Sequence, residues 1–166
     1  MHSLILQASD RPIPKDRLLP EDHYDKEGTR PDFADCIDTT DRKEALEWIA
    51  YAYAGYVEVD VDAATVTVTD HKSFQVARLA EIQEAAVRLA SHATVALTRT
   101  ANGLSGAEEM TKKLDSDAHK LRTAMSAQGG FWVDHDYDGQ ETFARWLARA
   151  RDGQVLHIGS TFEYHS

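Results

Sequence analysis

The sequence predicts an α+β fold: a mixed sheet of four or five strands backed by about four helices. Three observations predict it. Valines alternate with acids and threonines over residues 57–62 and 65–69, the period of a half-buried antiparallel hairpin. Two long stretches, from residue 73 into the nineties and over 107–125, carry apolar residues at spacings of three and four, as amphipathic helices do. The last third reads strand, helix, strand, a crossover unit that predicts a parallel, right-handed pairing.

Taken in order, residues 1–38 read as an irregular N-terminal arm, and 39–166 as a single α+β domain. All four prolines, Pro12, Pro14, Pro20 and Pro31, fall in the arm, where each fixes φ and removes a backbone donor. A short strand is expected at Leu4 to Gln7. Leu18, Leu19, Tyr24 and Phe33 are apolar anchors by which the arm docks on the body. The first helix is expected over 41–54, capped by Thr40 and stopped by Gly55. It turns Leu46, Ile49, Ala50 and Tyr53 to one side.

The hairpin follows, with Val57, Val59 and Val61 on its first strand and Val66 and Val68 on its second. A tight turn at Ala63-Ala64 sets Val61 opposite Val66 and Val59 opposite Val68. It also sets Asp60 opposite Thr67 and Glu58 opposite Thr69. A four-residue loop keeps the same parity. Either way one face is valine and the other is a row of carboxylates beside a row of hydroxyls.

The second helix carries Leu79, Ile82, Ala86, Leu89 and Ala93 as its stripe. The third, opened by the capping box Ser105 to Glu108, carries Ala107, Met110, Leu114, Ala118, Leu121 and Met125. The short link at Asn102-Gly103 predicts an antiparallel pair. Glu108 with Lys112 and Glu109 with Lys113 are i,i+4 ion pairs in the favourable order. Beyond Gly129-Gly130, one strand places Phe131, Val133, His135 and Tyr137 on one face and Trp132, Asp134, Asp136 and Asp138 on the other. A fourth helix over 140–151, with Asp138 as its cap, buries Phe143, Leu147 and Ala150. The final strand buries Leu156, Ile158, Phe162 and Tyr164.

Composition narrows the function. With 28 acidic and 18 basic residues the net charge is −10, which argues against direct binding to a nucleic-acid backbone and suits a basic protein partner. No apolar run approaches the ~18 residues of a membrane span. The opening lacks a basic lead and a long apolar core, so no secretory signal is expected. The single cysteine, Cys36, forms no internal disulfide, and a cytoplasmic setting is expected. Its neighbours Asp35 and Asp38 raise a thiol pKa and make a nucleophile there unfavourable.

Two patterns carry chemistry. The first is the acid row of Glu58, Asp60 and Asp62 with Thr67 and Thr69. Alternate strand residues lie about 6.6–6.8 Å apart, so the row presents regularly spaced negative charge in imitation of a nucleic-acid backbone. The second is Asp134-His135-Asp136-Tyr137-Asp138-Gly139, which matches the opening of a calcium loop. Three oxygen ligands alternate there, and a glycine permits the turn. The match fails at its twelfth position, Arg145, where glutamate is required. His135 and His157, on neighbouring strand candidates, are placed to meet beside Asp134 or Asp136 in an acid–base or metal site.

The phosphate-cradling glycine motifs and the nucleophile elbow are missing from the sequence, so a binding role is expected over an enzymatic one. The expected function is an acidic protein-binding module without a cofactor. It inhibits or sequesters a basic, nucleic-acid-handling partner, as an anti-defence or immunity-type protein does. The alternative is a small divalent-metal-dependent hydrolase or calcium-binding domain that holds Ca2+ or Mg2+ on Asp134, Asp136 and Asp138.

Overall fold

A computed structural model describes residues 3–25, 36–102, 106–126, 130–135 and 139–165. The chain packs as two compact units. One comprises residues 1–74 and 129–166, the other residues 75–128.

Among the described residues, the first unit is a mixed sheet of seven strands, more than the four or five expected. The strands are β1 (Ser3–Ser9), β2 (Cys36–Thr39), β3 (Val57–Asp60), β4 (Thr65–Val68), β5 (Phe131–His135), β6 (Gly139–Thr142) and β7 (Val155–His165). They run in the order β3-β4-β7-β1-β5-β6, and β2 also pairs with β7. The long β7 is the spine. Its first half pairs antiparallel with β4, its second half with β2, and its other edge with β1.

β1 is central, and Leu4 to Ala8 are all buried. A strand covered on both faces needs a near-continuous apolar run, which Leu-Ile-Leu-Gln-Ala nearly supplies. β1 also claims the parallel partner: it pairs parallel with β5 and separates β5 from β7. The expected parallel pairing of the two C-terminal strands is therefore not formed, because β1 occupies the place between them.

One face of the sheet is covered by α1 (Arg42–Ala52) and α4 (Phe143–Arg149). Beneath them lie Leu4, Leu6, Val66, Val68, Val133, Leu156 and Ile158, all buried. Tyr53, Phe74, Phe131, Phe143 and Trp146 close this layer through tilted and edge-on ring contacts. On the other face, Ile5, Phe162 and Tyr164 form a cluster with Tyr24, with Leu19, Ile37 and Trp132 packed against it. Of the expected anchors of the arm, Tyr24 and Leu19 do pack here, Leu18 is half-buried, and Phe33 lies outside the described residues. Two 3-10 turns, Lys15–Arg17 and His23–Asp25, carry this covering segment.

Three local expectations are corrected. Asp41, not Thr40, caps α1; its carboxylate accepts the Lys43 N–H at 2.8 Å. The fourth helix starts at Phe143, with Thr142 as cap, and not at Gln140; the expected cap, Asp138, lies outside the described residues. Residues 139–142 pair instead with β5 as β6, because cross-strand bonding to an edge outweighs a weak capping signal. The hairpin turns over four residues, with Asp60 opposite Thr65 and Glu58 opposite Thr67. Asp60 Oδ1 accepts the Ala63 N–H at 2.9 Å, and Ala64 takes a positive φ of 51°. That Asx-type bond closes the longer turn where Ala-Ala lacks the chemistry of a two-residue one.

The start of α2 (His71–Ala101) is tied down by two carboxylates. Asp70 accepts from Ser73 N, and Asp152 Oδ1 accepts from His71 N at 2.8 Å while facing the His71 ring at the same distance. The bonds from His71 hold the Asp152 carboxyl below its ordinary range, and those from Ser73 do the same for Asp70. A depressed carboxylate stabilises the fold fully above the unfolded pKa of about 4, and that contribution is lost as pH falls through the native value. Melting temperature is therefore expected to drop below about pH 4, and Asp152→Asn to flatten part of that drop. A titration of Tm against pH, identical for both proteins, would contradict the assignment.

The second unit holds the rest of α2 and α3 (Ala107–Ser126). The two helices run antiparallel, as the short link predicts. Arg78 donates to the Ala124 carbonyl, and the His92 ring meets the buried Asp117 carboxylate. His92 holds the Asp117 carboxyl below its usual range. Glu108 and Lys112 pair at 2.9 Å. Among the described residues, no helix is long and apolar enough to cross a membrane.

Candidate functional site

The acid row lies on β3, at one end of the sheet order, and on the turn that follows. Its backing is apolar. Val57 and Val59 face Val68 and Val66 across the ladder, and the latter two are fully buried. That burial fixes the parity, since a one-residue slip would turn every valine to water. Glu58 and Asp60 consequently point away from the core. Both are exposed, as is Asp62 in the turn, and among the described residues no ion pair neutralises any of the three.

The hydroxyls beside them differ from expectation by one pair. Thr67 faces Glu58, and Thr65 faces Asp60. Thr69 lies beyond the end of β4, where its N–H donates to the Tyr56 carbonyl at 2.9 Å. The two-residue shift follows from the four-residue turn. Continuing across the sheet, Thr65 pairs with His157, and His157 with Ser9. One polar row, Asp60, Thr65, His157 and Ser9, thus crosses four strands. The sequence did not place Thr65, His157 and Ser9 in this row, because only the pairing of β7 between β4 and β1 brings them into line.

The other candidates separate. His135 pairs with Ala8, which itself pairs with Ile158, so His135 shares the face of Ile158. His157, the next residue, is on the opposite face with β1 between. The expected meeting of His135 and His157 does not occur, because the alternation of β7 and the insertion of β1 part them. Instead His135 Nε2 lies 3.4 Å from Glu141 Oε1 without a hydrogen bond, and Glu141 is held by Arg149. The sequence did not mark Glu141 and Arg149 as neighbours of His135, since their approach depends on β6 being a strand.

Asp134 is engaged by its own chain. Its Oδ2 accepts from the Tyr24 hydroxyl at 2.7 Å and from Gln140 Nε2 at 3.1 Å. Burial pushes the Tyr24 phenol pKa up, and the bond to Asp134 adds to that, so Tyr24 remains a donor. Asp136 and Asp138 lie outside the described residues. Among the described residues, no group of three or more His, Cys, Asp or Glu side chains is arranged to hold a metal ion. Compared with known proteins, the chain matches no family model, no curated protein and no solved structure.

Proposed function

We propose that the protein is an acidic binding module that engages a basic, nucleic-acid-handling protein through Glu58, Asp60 and Asp62. The observation that carries this reading is that Glu58 and Asp60 stand exposed on a strand backed by buried valines and Asp62 in the turn after it, with no cation of their own chain paired to them among the described residues. A charge already neutralised internally has little to offer a partner, whereas an ordered unpaired row steers a basic surface toward it and fixes register. Thr67 and Thr65 add hydroxyls able to donate to or accept from the same partner.

The partner's lysines and arginines are those which otherwise hold a phosphate backbone, so the module acts by occupying them. Inhibition or sequestration, as in an anti-defence or immunity-type protein, follows from that occupancy. No cofactor is needed for it. The alternative, a divalent-cation site, has only Asp134 among the described residues, and that carboxylate already accepts two hydrogen bonds.

The test is capture of proteins from an extract of the native host on the immobilised full chain, at low and at high salt, with identification of what is retained. Glu58→Lys combined with Asp62→Lys is expected to weaken binding of the captured protein tenfold or more, a loss of about 1.4 kcal/mol or greater, with an unchanged melting temperature. Asp60→Asn is expected to weaken it less while keeping the turn, because the amide oxygen still accepts from Ala63 N. Asp60→Lys also removes that acceptor and lowers Tm. If the double reversal leaves capture untouched and only promotes self-association, the acids merely protect a sheet edge and the reading is wrong.

A further inference from the structure

We propose that the helical unit is a dimerisation element, in which the α2–α3 hairpins of two copies of this chain pack through one apolar face as an antiparallel four-helix bundle. The hairpin, which shares no residue with the acid row, leaves much of its apolar surface unburied. Phe74 is the one buried residue of α2, and it precedes the helical unit. Among the described side chains of α3, Met110, Asp117 and Ala124 are buried, and one of those is a carboxylate. Two helices alone give no interior, so their apolar stripes need a further layer.

The charges of α2 within this unit are segregated. Arg78, Glu81, Glu84, Arg88, His92 and Arg99 recur at three, four and seven residues and lie on one side. That side is occupied internally: Arg78 binds Glu81 and the Ala124 carbonyl, Arg88 binds Glu84, and His92 binds Asp117. The other side carries Leu79, Ile82, Ala86, Leu89, Ala93 and Leu97. Leu79 is 65% exposed and Leu97 73%. α3 extends the same face with Leu114, Ala118, Leu121 and Met125, the last 65% exposed. Leu89, Ala118, Leu121, Arg122 and Met125 line a groove between the helices on this side.

Size and charge favour a second copy as the occupant. Two helices each about 10 Å across, overlapping for about 30 Å along α3, offer roughly 600 Å² per copy; the pair would bury about 1,200 Å², the lower bound for a stable interface. The rim is self-complementary. Asp115 and Arg122 lie one heptad apart on the edge of the face, both exposed and neither in an ion pair among the described residues. Under a two-fold axis that sets α3 antiparallel to its copy, Asp115 of each chain meets Arg122 of the other. The small Ala118 sits between them, where the helices approach most closely.

The experiment is sedimentation equilibrium or light scattering on the full chain, with circular dichroism of each variant as the check on folding. The native chain is expected to show twice its 18.5 kDa mass. Asp115→Arg and Arg122→Asp each place like charges together at two points and are expected to weaken the dimer tenfold or more. The two substitutions combined restore complementarity and should restore the dimer. Leu97→Glu, at an exposed position, should yield a folded monomer. A native mass of one chain at high micromolar concentration overturns the proposal and leaves the face to some other partner. So does a mass above two chains, since the contact would then not close. A dimer indifferent to both single reversals, or one not restored in the combined variant while the singles stay folded, also overturns it.

Discussion

Gln7→Leu is expected to lower stability by about 4 kcal/mol, although it replaces an amide with an apolar side chain at a buried position. Gln7 is only 1% exposed, and its amide satisfies three backbone groups. Nε2 donates to the Arg17 carbonyl at 2.8 Å, and Oε1 accepts from Leu19 N and from Ser160 N, each at 3.1 Å. Leucine leaves all three unpaired under cover, at about 1–3 kcal/mol each, partly offset by its own burial. The loss is read as a shift in the urea midpoint, together with faster hydrogen exchange over residues 10–25. A cost below about 1 kcal/mol would mean that water replaces the amide and that no clamp exists.

The clamp has a geometric counterpart in Gly159. The β1–β7 register shifts between Leu6 and Ala8, a bulge that brings Ser160 N to the glutamine. A Cβ on Gly159 would stand 2.4 Å from Gln7 Oε1 and 3.1 Å from Ile13 Cδ1. Gly159→Ala therefore costs about 1–3 kcal/mol in the native background, and less once Gln7 has been cut to alanine. Additive losses in that double variant would show that the two residues do not share one space.

Phe143→Ala is expected to cost about 3–5 kcal/mol with an unchanged denaturant slope. Phe143 is fully buried at the first position of α4, with ring centroids 4.6 Å from Tyr53 and 5.2 Å from Trp146. Alanine keeps the helix residue, so the loss reports packing and not propensity. Tyr53 belongs to the end of α1, so the cavity also loosens α1 on the sheet. A change under about 1.5 kcal/mol would imply that the neighbouring rings collapse into the space.

Much of the local order was legible. The valine alternation gave the hairpin and the side on which its acids lie, because period two admits no other half-buried arrangement. The stripes of α2 and α3 gave two helices, and the short link between them gave their antiparallel course. Thr40, the helix start expected at Gln140 and the Ala63-Ala64 turn misled. Each is a cap or turn signal worth about 1 kcal/mol, and such signals yield to a neighbouring carboxylate or to an available sheet edge. The apolar brevity of Leu4-Ile5-Leu6 suggested a minor strand, yet β1 is central.

What the sequence determined by itself is the set of strong periodicities: the valine hairpin, the two long amphipathic helices, and that Glu58 and Asp60 face away from the valines. These are local properties, set by side-chain alternation within a few residues. The order of strands was decided only in the tertiary structure, and with it the separation of His135 from His157 and the row from Asp60 to Ser9. Strand neighbours are chosen by long-range burial and edge pairing, and no short window of sequence records which edge is free.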